Sequence, residues 1–175
     1  ILVLAPLLVA REAGGAHAVG IVAAAEGLGG FVGAALGSRI HLRRPLFSGW
    51  APLLLMPLWA FSFAVFHSVW PIAVLAAVGY AGLLFYDVHW ETAIQQAVPG
   101  ELQGRVHSWD ILMSFVALPL GSMLAAPLAQ TFGARQVIAV AACFLLIASV
   151  VPLFIRSMRE FTLEPSQTDQ PAPSR

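Results

Sequence analysis

Five stretches of apolar residues, each about as long as a bilayer is thick, dominate this chain. They cover residues 18–37, 46–66, 69–85, 111–129 and 136–155. A helix rises about 1.5 Å per residue, so about twenty helical residues cross the ~30 Å hydrocarbon layer. Hydrophobic residues make up 59% of the sequence and charged residues only 10%, which leaves no polar outer face for the helices of a soluble domain. The pattern predicts an all-α protein that crosses a membrane several times.

The two ends of the chain differ from this pattern. The apolar run 1–10 is too short to cross a bilayer and lacks the basic start and cleavage site of a signal peptide. We therefore expect it to be the last part of a helix that begins upstream. Segment 161–175 is rich in Pro, Ser and Gln, and we expect a disordered cytoplasmic tail because it has little to bury. The predicted bundle fills 1–160, with spans near 18–37, 46–66, 69–98, 111–132 and 135–156.

The arginines divide unevenly between the gaps that separate the apolar stretches. Seven lie in gaps 38–45 and 86–110 and in the tail from 156, whereas two lie in the alternate gaps 11–17, 67–68 and 130–135. Short loops that are rich in arginine stay on the cytoplasmic side of a membrane. The count predicts a multi-pass protein of the cell membrane, plasma or inner, with its C-terminus in the cytoplasm.

Glu26 is the only charged side chain inside the five stretches. The seven Val, Ile, Leu and Phe residues of its stretch each favour insertion by roughly 0.3 to 0.6 kcal/mol. A charge at the bilayer centre costs on the order of 2.5 to 3.5 kcal/mol, which nearly cancels that gain. We therefore expect Glu26 to be protonated or turned into the bundle. The functional interpretation is a site that couples transport to protons or another cation. The alternative is a neutral carboxyl group that forms a hydrogen bond with a neighbouring helix.

Small residues recur at every fourth position of the same stretch. They are Ala25, Gly29, Gly33 and Gly37. Such a stripe lets two helix backbones approach closely where lipid supplies no hydrophobic driving force, so it predicts a helix contact. A shorter version, Gly121 and Ala125, follows Pro119 in the fourth stretch.

A second group of polar residues lies in segment 86–96. If the third stretch continues as a helix to Val98, then Asp87, Glu91 and Gln95 lie on one face at four-residue spacing. This face could line the cytoplasmic half of a cavity or gate. The alternative is a helix end that emerges into water.

Other classes of function have little support in the sequence. A Gly-x-Ser-x-Gly hydrolase elbow is missing, and phosphate-binding glycine motifs that end in Lys-Ser or Lys-Thr are absent because the chain has no lysine. His89 and Glu91 do not have the spacing of a zinc protease. We therefore expect no enzyme, no catalytic residue, no metal and no cofactor. The net charge of zero gives no reason to expect nucleic acid as a partner.

Segment 98–108 reads Val-Pro-Gly-Glu-Leu-Gln-Gly-Arg-Val-His-Ser. It resembles the segment between helices ten and eleven of major facilitator superfamily exporters, with Glu101, Gly104 and Arg105 at matching positions. Gln95 before it and Pro-Leu-Gly-Ser at 119–122 after it look like the branch that contains enterobactin exporters and macrolide-efflux proteins.

A second segment, 33–44, resembles the loop motif between helices eight and nine of the same superfamily. The match is carried by Arg39, Arg43 and Arg44, and Ser38 stands where the motif usually has aspartate. The resemblance covers nearly the whole chain and implies the C-terminal six-helix half of a twelve-helix transporter, with its first helix truncated.

The resemblance implies a secondary transporter that works by alternating access. We expect proton-coupled efflux of a small, fairly apolar molecule, similar to a drug or a siderophore. The expected partners are the lipid bilayer, the small-molecule substrate, protons and the N-terminal half of the same transporter. Glu26 is the first candidate for proton coupling, and Asp87 and Glu91 are lesser candidates. The alternative is a membrane scaffold or secretion accessory protein without its own transport cycle.

Overall fold

A computed structural model describes residues 1–40 and 45–154 of the chain. Its α-helices are α1 (Leu4–Glu12), α2 (Gly15–Arg39), α3 (Pro45–Trp50), α4 (Met56–Val65), α5 (Val69–Ala97), α6 (Gly100–Phe132) and α7 (Ala134–Val150). The described part contains no strand, and 3-10 turns occupy Ala51–Leu55 and Val151–Phe154. This confirms the predicted all-α fold class. The predicted loop residues Arg43 and Arg44 and the predicted tail 161–175 lie outside the described residues.

Five segments are long and apolar enough to cross a membrane. They are Gly15–Arg39, Ser48–Val65, Val69–Ala97, Gly100–Phe132 and Ala134–Phe154. The second segment consists of the end of α3, a 3-10 turn and α4. Its interruption has a local cause, since Pro52 and Pro57 each lie at the start of a new helical piece and proline cannot donate the backbone hydrogen bond of a continuous helix.

α6 begins at Gly100, well before the apolar stretch that starts at Ile111. Pro99 precedes its first turn, where the missing proline N–H costs nothing. Residues 100–108 of the segment that resembles the loop between helices ten and eleven therefore form about the first two and a half turns of a long helix. Glu101 and Arg105 lie one turn apart in this part of the helix but do not form an ion pair in the described structure.

α2 and α5 form the most extensive contact in the bundle. Gly29 and Gly33 lie directly against the backbone of α5, so that a Cβ on Gly29 would overlap the carbonyl oxygen of Ala77. A Cβ on Gly33 would overlap that of Ala81 in the same way. Gly37 continues the contact with Val88. The two backbones touch because these positions have no side chain.

The pieces of the second span, Ser48–Val65, pack closely on another face of α5. Gly82 lies against the carbonyl oxygen of Pro52, and Gly79 makes room for Trp59. α4 also packs on α7, and α1 packs on α2. The buried core consists mainly of side chains of α1, α2, α4, α5 and α7, including Trp59, Phe63 and Ile138.

α6 takes little part in this core. Ala125 is its only buried residue in the described structure, and its contacts are with α7 and, weakly, with α1 and α5. Apart from the neighbouring backbone of α6 itself, no described atom lies within 4 Å of where a Cβ of Gly121 would be. Pro119 and Pro127 lie inside the helix without ending it. A helix contact at Gly121 stays a prediction.

Candidate functional site

Glu26 lies in the middle of α2 and points into a small pocket. The pocket has a volume of about 80 Å³ and lies between α1, α2 and α4. Its wall is apolar apart from Glu26 and the indole N–H of Trp59, with Ala5, Val22 and Phe63 among the lining residues. The carboxyl group of Glu26 is therefore half-buried in a region that supplies one polar partner.

That partner is Trp59 on α4. Its Nε1–H donates a hydrogen bond to Oε1 of Glu26 over 3.0 Å. Trp59 is itself buried and packs edge-on against Phe63 and Tyr80, with ring centroids 5.4 and 5.5 Å away. Gly79 leaves room for Trp59 on α5, because a Cβ at Gly79 would come within 2.7 Å of the Trp59 Cβ. The fold thus holds a single rigid donor against Glu26.

Asp87 and Glu91 lie near the other end of α5, apart from this pocket. Neither lines the Glu26 pocket. Glu91 faces α6, where its carboxylate lies 3.9 Å from Nδ1 of His107. Asp110, also on α6, is close enough to act electrostatically on Asp87. The structure therefore joins the two predicted acids to α6 and separates both from Glu26.

Aromatic residues directly precede both acids in the sequence of α5. Trp50 meets Tyr86 edge-on at 5.0 Å, and Tyr86 stacks with Trp90 at 6.0 Å. Among the described residues, no three His, Cys, Asp or Glu side chains are grouped as metal ligands would be.

His89 was not singled out as a site by the sequence pattern, but it is buried between α5 and the end of α2. Its Nδ1 lies 2.9 Å from the carbonyl oxygen of Phe85, and its Nε2 lies 3.0 Å from that of Ile40. A neutral imidazole donates from one nitrogen only. Which of the two carbonyl oxygens receives the hydrogen bond therefore depends on the tautomer.

The loop residues lie on the same side of the bundle as His89. Arg39 ends α2, while Glu101, Gly104 and Arg105 are exposed on the first turns of α6. Gln103, which sequence reasoning did not single out, donates from Nε2 to the carbonyl oxygens of Gln95 and Val98. This side chain bridges the end of α5 and the start of α6.

Arg135 forms a polar cluster at the opposite end of the bundle. From the first turn of α7, its guanidinium donates to the carbonyl oxygens of Phe63, Ala64 and Phe66 over 3.0 to 3.5 Å. It also donates to the carboxylate of Glu12 at the end of α1. The arginine count placed Arg135 in a gap but gave no sign of these partners, since they come from two distant segments of the chain.

Comparison with known families decides what kind of protein contains these sites. The chain matches the family described as transmembrane secretion effector over residues 1–174. It belongs to this family of the major facilitator superfamily. The predicted superfamily is confirmed, and the finer branch of enterobactin and macrolide exporters stays a prediction. No curated protein and no solved structure matches the chain.

Membership of this family, together with five apolar helices, makes the chain a multi-pass membrane transporter of the secretion or efflux type. Its surroundings are a lipid bilayer. This explains why many large apolar side chains, such as Phe31 and Phe144, face outward. In a bilayer these side chains are solvated by lipid rather than by water.

Proposed function

We propose that the chain carries out proton-coupled efflux of small, fairly apolar molecules by alternating access. The proposed substrates resemble drugs or siderophores, as the resemblance to enterobactin and macrolide exporters implies. In this mechanism two halves of a transporter rock about a site near the middle of the membrane. The partner of this chain is then the N-terminal half of the same transporter, and the exposed sides of α6 offer a surface for it.

The observation that carries the coupling proposal is the pocket of Glu26. An acid in the middle of an apolar span is costly as a carboxylate unless its charge is compensated. Trp59 donates one hydrogen bond to Glu26 but carries no positive charge. No described cation lies within ion-pair distance of Glu26. A proton is the simplest neutralising partner, and its uptake and release would couple Glu26 to the proton gradient.

Asp87 and Glu91 are the lesser candidates for coupling. Together with Asp110 and His107 they form a group of titratable side chains between α5 and α6. The distances between these charges change when α5 and α6 move apart. Their role would be to pass protons between water and the interior of the bundle.

For the orientation, we propose that Arg39, the α5–α6 turn and the C-terminus face the cytoplasm of the cell membrane. The support is the seven-to-two division of arginines. Cysteines at Ser38 and Thr131 should then react with a membrane-impermeant maleimide from opposite sides of intact cells, in a Cys143→Ser background. Reaction of both from the outside would exclude this topology.

The coupling role is tested with Glu26→Gln in the intact transporter, reconstituted in proteoliposomes with labelled erythromycin as the probe. The amide keeps the shape of Glu26 and can still accept a hydrogen bond from Trp59, but it cannot titrate. We expect transport driven by a pH gradient to fall at least about tenfold, comparable to the loss of a positioned proton-transfer group.

Exchange of erythromycin across the same membranes without a gradient is the internal control. Exchange needs no net proton movement, so it should persist in Glu26→Gln. Gradient-driven transport at the wild-type rate would exclude Glu26 as the coupling site. If the wild-type protein moves no erythromycin in either assay, the proposed substrate class is wrong.

A further inference from the structure

The Arg135 cluster lies outside the Glu26 pocket. Arg135 makes two kinds of contact, one with backbone carbonyl groups at the end of α4 and one with Glu12. The carbonyl oxygens of Phe63 and Ala64 belong to the last turn of α4, and Phe66 follows that turn directly. The last carbonyl groups of a helix have no partner within the helix and form the negative end of its dipole. Arg135 therefore caps α4 from α7, which joins two packed helices into one unit.

The contact with Glu12 reaches a different unit. Glu12 is the last residue of α1, and the ion pair that it forms with Arg135 is one of two in the described structure. A guanidinium has five N–H donors in a planar fork, so it can serve the α4 carbonyls and Glu12 together. The end of α1 is thus attached to α4 and α7 through one side chain.

The joint that follows Glu12 permits α1 to change its angle. Gly14 and Gly15 connect α1 to α2 with φ of +125° and +71°, a backbone region that glycine adopts without a steric penalty. A cleft of about 390 Å³ lies beside this joint, between the end of α1 and residues 132–136. The angle of α1 is therefore set by contacts rather than by a continuous helix.

That angle decides how well the Glu26 pocket is covered. Leu2, Ala5, Pro6 and Val9 form the α1 side of the pocket wall. Any tilt of α1 away from α2 would open this wall to the membrane or to water.

We propose that Arg135 is a positioning residue for the transport cycle, which holds Glu12 next to the glycine joint and so keeps α1 closed over the Glu26 pocket. Release of Glu12 lets α1 tilt and gives the pocket access to one side of the membrane. The consequence for Glu26 rests on the proposed function. The tilt of α1 itself does not.

The test measures how fast a maleimide reacts with a cysteine at position 22, Val22→Cys, which is buried in the pocket wall. The intact transporter is placed in lipid nanodiscs, and Cys143→Ser removes the natural cysteine. Glu12→Gln removes the charge of the pair and leaves the α4 cap in place. We expect it to speed labelling about two- to fivefold, the range that a partly exposed ion pair supports. Arg135→Gln should speed labelling further and also lower the unfolding temperature, because α4 loses its cap.

Arg11→Gln is the matched control, since Arg11 precedes Glu12, lines the same cleft and should leave the rate unchanged. Labelling at the wild-type rate in both Glu12→Gln and Arg135→Gln would overturn the proposal, since the ion pair would then not control the position of α1. If Val22→Cys does not fold, Val9→Cys reports on the other wall of the pocket. None of these rates depends on whether Glu26 carries a proton, so failure of the coupling proposal would be seen separately in the transport assay.

Discussion

Helices α2 and α6 have similar composition but differ in how they pack: α2 lies closely against α5, whereas α6 is mostly exposed. Both are long, apolar and contain small residues, and both can cross a membrane. Gly29 and Gly33 of α2 lie against the backbone of α5, whereas Gly121 of α6 has open space around it. Small residues therefore permit a close contact but do not create one. The contact also needs a partner helix whose backbone lies at the right angle and depth.

The strongest way to test this contrast is to place the same large side chain in both helices. Leucine at Gly33 would displace the backbone of α5 at Ala81, and we expect Gly33→Leu to lower the free energy of unfolding by about 3 kcal/mol, as severe overpacking does. Gly121→Leu should change it by less than about 0.5 kcal/mol. Thermal unfolding in mild detergent measures both. Equal losses would show that α6 packs as tightly as α2 in the intact protein.

A finer test compares two neighbouring glycines of α2. A Cβ at Gly29 would overlap the Ala77 backbone, whereas one at Gly30 would meet only the side chain of Leu84 at 3.4 Å. We expect Gly29→Ala to destabilise by about 1 to 3 kcal/mol and Gly30→Ala to be neutral or to stabilise by up to about 1 kcal/mol, because alanine favours the helix. The same unfolding assay separates them. A tolerated alanine at Gly29 would mean that α2 and α5 can move apart without loss.

The smallest expected effect concerns the α1 end, where one polar contact takes the place of backbone packing. The hydrogen bond from Arg135, together with the charge of the same guanidinium, lowers the pKa of Glu12 from its ordinary value of 4.5. A lowered pKa means that the pair contributes fully above that ordinary value, and that the contribution disappears as the pH falls through the lowered pKa. The unfolding temperature of the wild type should therefore converge on that of Glu12→Gln only in acid. A difference that persists at the lowest pH would show that the charge of Glu12 is not what matters.

The sequence alone determined the fold class, because twenty-residue apolar stretches can satisfy their backbone hydrogen bonds in a bilayer only as helices. Together with the loop segments at 33–44 and 98–108, this pattern also led to the superfamily. It placed one acid, Glu26, inside a span. Periodicity did not give the helix ends well, since α6 continues through polar residues back to Gly100, where neither hydropathy nor charge marks a boundary.

The partners of the candidate residues were decided by tertiary structure. Trp59 meets Glu26 across thirty-three positions of sequence, and Arg135 meets Glu12 across one hundred and twenty-three. Such pairs depend on the angle and depth at which helices cross. For α2 and α5 the close approach of Gly29 and Gly33 to the α5 backbone sets that depth. In lipid every helix surface is apolar, so hydropathy cannot tell which face meets a neighbour. Only the fit of one helix against another selects that face.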